Sequence, residues 1–329
     1  MRCLVAVISP IEAWNIPERF VDHLRAAFPQ HTFVEAWTRE AIREQILDCD
    51  VAFTPFVDRD ILPKATRLRW IQSPAVGIGH LLYPEMLTRP IVVTSARGVR
   101  ARSMAEHVMG AMLALTRQYP AAVRFQWQHH WAQNELEGRY GSRIRTLKGA
   151  RLGIVGLGAI GVELAPIANA FGMRVTGIRR RIHEPVPEGV HRVLPPESLH
   201  ELLADSDVVV LAAPLTPDTR GLIGARELTL MPRHALLINV GRGRLVDDDA
   251  LVAALREDRI GGAALDVFTH EPLDAASPYW DLPNVLITPH VSGALEDYWT
   301  PLVALFADNL TRFEAGQPLR NVVDKTAGY

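Results

Sequence analysis

Apolar residues along this chain cluster into short runs separated by stretches in which they recur every three or four positions. In the first hundred residues the runs are 3–8, 31–37, 50–56, 68–73 and 90–94. Runs of this length predict strands. Between the first two, Phe20, Leu24 and Phe28 keep helical spacing after Pro17, a residue favoured in a helix's first turn. Strand and helix in alternation indicate a parallel sheet flanked by helices. Met104, Val108, Met112 and Leu115 then mark one face of a long helix, read as a crossing between domains. Ser103 and Glu106 form an S-x-x-E box that predicts its start. Residues 118–148 are polar, aromatic and basic without a period, and are read as an arm or connection.

Strand-like runs resume at 151–155, 174–178, 208–212, 235–240, 262–267 and 285–288, predicting a second and larger doubly wound unit. A last helix, 301–313, carries Leu302, Phe306 and Phe313 on one side and begins at Thr300-Pro301. Because it follows the end of the second sheet, it is expected to return to the first domain and make that domain discontinuous. The boundaries predicted are 1–101 with 291–329 for one domain and 102–290 for the other.

Bulk properties narrow the function classes. At 329 residues the chain is long enough for two ordinary cores. Its 35 Lys plus Arg nearly balance 37 Asp plus Glu. There is thus no global basic field to suggest nucleic acid or a membrane surface, and small molecules are the expected partners. Cys3 and Cys49 are too few for a disulfide framework and have no metal-ligand spacing, so no metal is expected. No window approaches a membrane-spanning length and the N-terminal run lacks signal-peptide features. A cytoplasmic setting is the expectation.

GLGAIG follows the run 151–155 and precedes a helical stretch, which is the context a dinucleotide-binding turn requires. Gly156 permits the tight turn, Gly158 lets backbone approach a pyrophosphate, and Gly161 permits close helix–strand packing. The phosphates would meet the N–H groups of Ala159 and Ile160. The plain alternative is an ordinary glycine turn. Pro166 is untidy, since it sits in the expected helix interior and should bend it or cost a backbone bond. After the next strand come Arg179, Arg180 and Arg181, where an NAD-binding fold usually has an acid for the ribose 2'-hydroxyl. Guanidinium groups suit a 2'-phosphate, so these residues predict NADP(H), with NAD(H) second; the alternative is a solvated basic turn.

RTLKGARLGIVGLGAIG, AAPLTPDTRGLI, INVGRGRLVDDDAL, GGAALDVFTHEPL and LPNVLITPHVSG occur in an order and spacing that resemble the D-2-hydroxyacid dehydrogenase family over nearly the whole chain. The resemblance implies an α/β protein of two Rossmann-like doubly wound parallel-sheet domains, the coenzyme domain inserted into a discontinuous flavodoxin-like substrate domain, with the active site in the cleft. It implies that Arg242 binds the substrate carboxylate and carbonyl oxygen, and that His290 is the general acid/base. Glu271 would hydrogen-bond the imidazole, keep it protonated for reduction and fix its orientation. A 2-oxo acid needs such a set: a forked cation for its carboxylate and a proton donor near its ketone oxygen. Asp266 resembles the residue that contacts the nicotinamide carboxamide. Val76 and Gly77 resemble the backbone loop that receives the substrate carboxylate, and Pro214, Thr219, Val240 and Ser292 match positions lining the coenzyme.

Taken singly, His290 could be a satisfied loop residue, Glu271 a helix cap, and Arg242 a partner of Asp247 or Asp248. His129, His130, Trp127 and Trp131 have no ligand spacing and are read as arm or interface residues; the arm from 125 to 140 matches the family's subunit-contact region and predicts a homodimer. The chain departs from the family pattern at Gly79, where an acid is usual, and at Arg179; Tyr298 and Trp299 either border the substrate pocket or pack. The expected activity is reduction of small 2-oxo acids such as glyoxylate or hydroxypyruvate with NADPH. Two alternatives stand beside it: a phosphite-type oxyanion dehydrogenase, which would keep the triad, and a dinucleotide-sensing corepressor or scaffold. Glu271 argues against a formate-type enzyme, where glutamine replaces it.

Overall fold

A computed structural model of the chain describes residues 1–138 and 144–328, which form two compact units. The first comprises Met1–Val99 and Leu295–Tyr329, the second Arg100–Ala294. The chain therefore leaves the first unit once and returns to it.

In the first unit, β1 (Arg2–Val5), β2 (Thr32–Glu35), β3 (Val51–Phe53), β4 (Trp70–Gln72) and β5 (Val92–Thr94) form a parallel sheet in the order β2-β1-β3-β4-β5, the flavodoxin-like order. Each strand is shorter than its apolar run because the run's ends enter turns. Parallel strands covered on both faces are mainly apolar, as these are. In the helix Glu18–Ala27 the buried residues are Val21 and Leu24, with Phe20 and Phe28 only partly buried, and Pro17 stands at the N-cap rather than inside the first turn. The last helix, Trp299–Glu314, starts two residues before the predicted Pro301 and lays Phe306 against Phe53 and Trp70, ring centroids 4.8 and 5.3 Å apart.

The second unit holds β6 (Arg151–Val155), β7 (Arg174–Ile178), β8 (Arg192–Leu194), β9 (Val208–Leu211), β10 (Leu236–Asn239), β11 (Gly262–Leu265) and β12 (Val285–Ile287). All are parallel, in the order β12-β11-β10-β9-β6-β7-β8. This is the doubly wound dinucleotide-fold order with one further strand, and its switch point lies between β6 and β9. Strand β8 was not among the predicted runs: it is a three-residue edge strand with only Leu194 fully buried, so it lacks the unbroken apolar signature.

Two local expectations are corrected, the capping box and the crossing between domains. The helix carrying Met104 to Leu115 is Ala101–Thr116, with Arg100 at the N-cap, and the Ser103/Glu106 box does not form. The Ser103 hydroxyl donates to the Arg100 carbonyl instead, a local bond available to any helical serine, and Glu106 pairs with Arg102 at 2.7 Å. That helix belongs wholly to the second unit and packs on the helix Ala159–Ala170. The aperiodic stretch contains two short helices, Tyr119–Trp127 and Gln133–Gly138, with Trp127 and Trp131 81% and 88% exposed. Residues 139 and 140 of the predicted arm lie outside the described residues. Pro166 lies inside the helix Ala159–Ala170, where its missing N–H costs the backbone bond expected of it. Among the described residues no helix is long and apolar enough to cross a membrane.

One ion cluster ties the amino ends of three strands. The Asp207 carboxylate, ahead of β9, accepts from the Arg151 backbone N–H at 2.8 Å, from the Arg151 guanidinium at 3.0 Å and from His234 Nε2 at 2.7 Å. Burial pushes its pKa up, but the Arg151 and His234 bonds outweigh burial and hold it well below the usual carboxylate range. Asp207→Asn is therefore expected to lose about 1.5–3 kcal/mol of unfolding free energy at pH 7. The difference from wild type is fully present above the unfolded-chain pKa of about 3.9 and vanishes as pH falls through the depressed folded value. Urea unfolding of both proteins across that range checks it; a difference that does not shrink in acid removes the carboxylate's role.

Candidate active site

Every predicted site residue of the second unit follows the carboxyl end of a strand, where parallel sheets place their loops and ligands. After β6, Gly156 has φ +95°, and a Cβ there would stand 2.5 Å from the Ala213 backbone nitrogen. A Cβ at Gly161 would come within 3.0 and 3.1 Å of Leu157 and Ile154. Gly158 is the opposite case: nothing lies within 4 Å of its Cβ direction, and it caps the helix that begins at Ala159. The first-turn N–H groups of Ala159 and Ile160 have no carbonyl one turn earlier to bond, and both residues are half-exposed. An open backbone surface beside orphan N–H groups at a helix's positive end fits a dinucleotide's pyrophosphate.

After β7 the arrangement is less simple than predicted. The Arg179 guanidinium turns into its own loop, donating Nη2 to the carbonyls of Glu184 and of Pro185 (3.0 Å), and its side chain is only 11% exposed. Its Nε is buried without a hydrogen-bond partner among the described residues. Arg180 is exposed, and Arg181 pairs with Glu184 at 2.9 Å. After β9, Thr219 donates its hydroxyl to the exposed Pro214 carbonyl at 2.7 Å and accepts from Thr216 N–H at 2.8 Å, closing the turn beside the switch point.

After β10, Val240 is buried, and Asn239 shapes the turn that follows: its Oδ1 accepts from Gly241 N–H at 3.1 Å and its Nδ2 donates to the Arg242 carbonyl at 3.0 Å. Arg242 donates Nη1 to the Gly241 carbonyl at 2.6 Å and makes no ion pair among the described residues. Asp247 caps the next helix and Asp248 accepts from the Tyr279 hydroxyl, so neither of the two acids weighed as partners engages it. Burial lowers the guanidinium pKa from its ordinary value, and the Glu271 charge pushes it back up. A half-buried cation with unspent donors is what an incoming carboxylate requires.

After β11, Asp266 is 1% exposed and its carboxylate is fully engaged: Oδ1 accepts from the Thr288 hydroxyl (2.6 Å) and Val291 N–H (2.9 Å), Oδ2 from Ser292 N–H (3.0 Å). Burial pushes its pKa up, and these bonds, led by Ser292 and Thr288, hold it below the ordinary value. The Asp266 carbonyl accepts from His290 N–H at 2.9 Å. His290 adopts φ +55°, an uncommon backbone state for a side-chain-bearing residue, and its surroundings hold it there. Its Nδ1 donates to Glu271 Oε2 at 2.6 Å, while Glu271 Oε1 accepts from Phe268 N–H at 2.9 Å. The Glu271-Pro272 peptide is cis. His290 Nε2 makes no hydrogen bond among the described residues, and the side chain is half exposed. An imidazole with one nitrogen fixed by a carboxylate and the other open can give or take a proton.

Four contributors escaped the sequence reading as separate residues. A Cβ at Gly243 would lie 1.9 Å from the Phe268 carbonyl carbon, so only glycine lets the Arg242 turn meet the segment leading to Glu271. Asn239 and Thr288 act through the bonds above. His107 Nε2 lies 3.3 Å from Thr288 Oγ1, which already donates to Asp266. An Asn ahead of a glycine turn carries a readable signal; the other three contacts depend on tertiary proximity.

In the first unit, Val76 and Gly77 follow β4. Val76 is 48% exposed, and neither N–H makes a hydrogen bond among the described residues. Of the two bulky residues after His290, Trp299 is packed in the core of this unit, and the Tyr298 hydroxyl donates to the Pro74 carbonyl.

Comparison with known proteins fits this geometry. The profile of the D-isomer specific 2-hydroxyacid dehydrogenase NAD binding domain matches residues 109–292. A glyoxylate reductase of Aeropyrum pernix is 35% identical over 316 residues, covering 89% of this chain and 90% of that protein. Among solved structures, a D-isomer specific 2-hydroxyacid dehydrogenase of Xanthobacter autotrophicus in complex with NADPH and MES superposes with a TM-score of 0.83 at 31% identity, covering 99% of each chain. An NADPH-dependent glyoxylate/hydroxypyruvate reductase of Sinorhizobium meliloti gives 0.81 at 29% identity over 100% of both. With two parallel α/β units, an imidazole–carboxylate pair, an uncommitted arginine and relatives of this likeness over nearly its full length, the chain belongs to the D-isomer specific 2-hydroxyacid dehydrogenase family.

Proposed function

We propose that the protein reduces short 2-oxo acids of the glyoxylate or hydroxypyruvate type to D-2-hydroxy acids with NADP(H), the second unit serving as coenzyme domain and the first as substrate domain. The observation that carries the reading is the His290–Glu271 pair at 2.6 Å beside a guanidinium with unspent donors. The nicotinamide, when bound, supplies the hydride that the oxo carbon receives. In this scheme Arg242 holds the substrate carboxylate and polarises the ketone oxygen. The open N–H groups of Val76 and Gly77 form a second carboxylate-holding element, as consecutive unpaired amides do for anions. His290 delivers a proton from Nε2 to the developing alkoxide, and Glu271 holds the ring by Nδ1 so that Nε2 faces the reaction. Gly156, Gly158, Ala159, Ile160, Gly161, Pro214, Thr219, Val240, Asp266 and Ser292 are assigned to the coenzyme.

His290→Ala is expected to lower kcat about 10²–10⁴-fold while NADPH binding persists, since positioned proton donors contribute that much. Arg242→Lys should not restore an Arg242→Ala loss, because a point charge lacks the planar fork. Steady-state kinetics with glyoxylate, with coenzyme fluorescence for binding, decide both. Turnover of a simple ketone as fast as of glyoxylate would overturn the carboxylate grip, and a wild type that reduces no 2-oxo acid in a panel would favour the corepressor or scaffold alternative.

The coenzyme preference rests on exposed Arg180 and on Arg179 beside it after β7; Arg179 faces its own loop, with Nη1 3.7 Å from Glu184, the first nearby acid, which also pairs with Arg181. One charge-assisted hydrogen bond to a 2'-phosphate contributes about 1.5–3 kcal/mol, which sets a preference of roughly ten- to a hundred-fold for NADPH over NADH in kcat/KM. Arg179→Asp with Arg180→Ala should reverse the order, and added salt should shrink the wild-type preference. Equal or better use of NADH by the wild type in dilute buffer would reduce these arginines to a solvated turn.

We also infer a homodimer, supported by the exposed Trp127 and Trp131 in the arm, since aromatic side chains concentrate at interfaces. Sedimentation at micromolar concentration is expected to show a dimer, and a monomer there would remove the idea.

A further inference from the structure

The segment between β4 and Ile78 is anchored plane by plane. Ser73 N–H donates to the Thr94 carbonyl at 2.8 Å, which continues the ladder one residue beyond the strand. The next peptide plane, joining Pro74 and Ala75, is pinned at both ends: its carbonyl accepts from the Tyr298 hydroxyl, and its N–H donates to Ser73 Oγ at 3.1 Å. In the plane after it, the Ala75 carbonyl accepts from Ala96 N–H at 3.1 Å. Because a trans peptide holds its C=O and N–H in one plane and pointing oppositely, fixing the Ala75 carbonyl aims the Val76 N–H away from Ala96. The loop therefore uses its polar groups up to Ala75 and leaves two consecutive N–H groups, those of Val76 and Gly77, unspent among the described residues.

Tyr298 is well placed to act as such an anchor. It is the N-cap residue of Trp299–Glu314, its ring meets the buried Trp299 edge-on at 5.2 Å, and Asp297 caps the same helix by accepting from Thr300 N–H at 3.0 Å. Its hydroxyl thus reaches Pro74 from a rigid helix end 224 residues away in sequence.

We propose that Tyr298 is a positioning residue for substrate: its hydroxyl fixes the Pro74–Ala75 peptide, and through it the orientation of the Val76 and Gly77 N–H groups toward the carboxylate of a 2-oxo acid. The proposal rests on the reading given under Proposed function. It assigns Tyr298 no contact with the reacting atoms. Loss of its hydroxyl loosens an element used in binding and leaves proton and hydride transfer intact.

Tyr298→Phe keeps the ring and removes only the hydroxyl. With saturating NADPH and glyoxylate as the varied substrate, KM is expected to rise about threefold to tenfold, the range one neutral hydrogen bond provides, with kcat within about twofold. The KM for NADPH and the melting temperature are expected to stay at wild-type values. Amide hydrogen exchange should accelerate in the peptide containing residues 73–78 and not in the rest of the first unit. An unchanged KM for glyoxylate overturns the proposal, as does a fall in kcat together with melting temperature, which is the pattern of a merely structural residue. If the wild type reduces no 2-oxo acid, the function reading itself has failed, whatever Tyr298→Phe does. Unaltered exchange at 73–78 in the variant would show separately that the hydroxyl anchors nothing.

Discussion

The arrangement of the second unit depends on one buried charge. Asp266 is 1% exposed, and a carboxylate taken out of water is costly unless its oxygens are bonded. The chain meets that requirement with the Thr288 hydroxyl and the N–H groups of Val291 and Ser292, all drawn from the five residues after β12. Their convergence on one side chain bends that segment into a single shape. His290 lies inside the bend, its N–H held by the Asp266 carbonyl and its φ forced positive. A strained backbone state persists where its surroundings over-determine it. The imidazole therefore owes its aim to a carboxylate that it does not touch, and Glu271 adds the last restraint through Nδ1.

The remaining groups are delivered by the geometry of parallel strands. The Gly156 turn, the Arg179 loop, the Pro214 turn, the Arg242 turn, Asp266 and His290 each follow the carboxyl end of a different strand, β6, β7, β9, β10, β11 and β12. Adjacent strands lie about 4.8 Å apart, so the loops at one sheet edge are neighbours whatever their separation in sequence. That crowding explains the glycines. Gly156 must pass the Ala213 backbone and Gly243 the Phe268 backbone, distances at which no side chain fits. Gly158, by contrast, faces open space at the start of the helix Ala159–Ala170.

How much of this the amino-acid order disclosed follows from which forces are local. Strands covered on both faces announce themselves as apolar runs, which is why eleven of the twelve strands among the described residues were visible and the half-exposed, three-residue Arg192–Leu194 was not. Capping patterns are weaker, because a serine within reach of a carbonyl at i−3 has a competing bond, and Ser103 took it. Side-chain direction is weaker still. Arg179 stands at the predicted place, but the carbonyls of Glu184 and Pro185 draw its guanidinium into the loop, a contact that no spacing rule encodes. His290, Glu271 and Arg242 could be named from motif order, whereas Gly243, Thr288 and His107 gain meaning only once β10, β11 and β12 lie side by side.

Interrupting the first unit by nearly two hundred residues sets it a separate problem, since the returning segment has no sequence-local reason to stay. The solution is a buried polar network. Asn309, fully buried on the last helix, donates to Gln72 Oε1 at 3.2 Å, and Gln72 in turn accepts from the Thr94 hydroxyl, which accepts from Trp70 Nε1. Asn309 Oδ1 also accepts from Arg320 N–H at 2.7 Å, and Val323 N–H donates to the carbonyl of Val93 within β5. Apolar packing of Phe306 alone would tolerate sliding, because burial is non-directional. A chain of satisfied hydrogen bonds tolerates none, because any shift leaves a buried amide unpaired. The same rigidity that returns the C-terminal helix to the sheet therefore fixes Tyr298 at its start, and with it the loop that begins at Pro74.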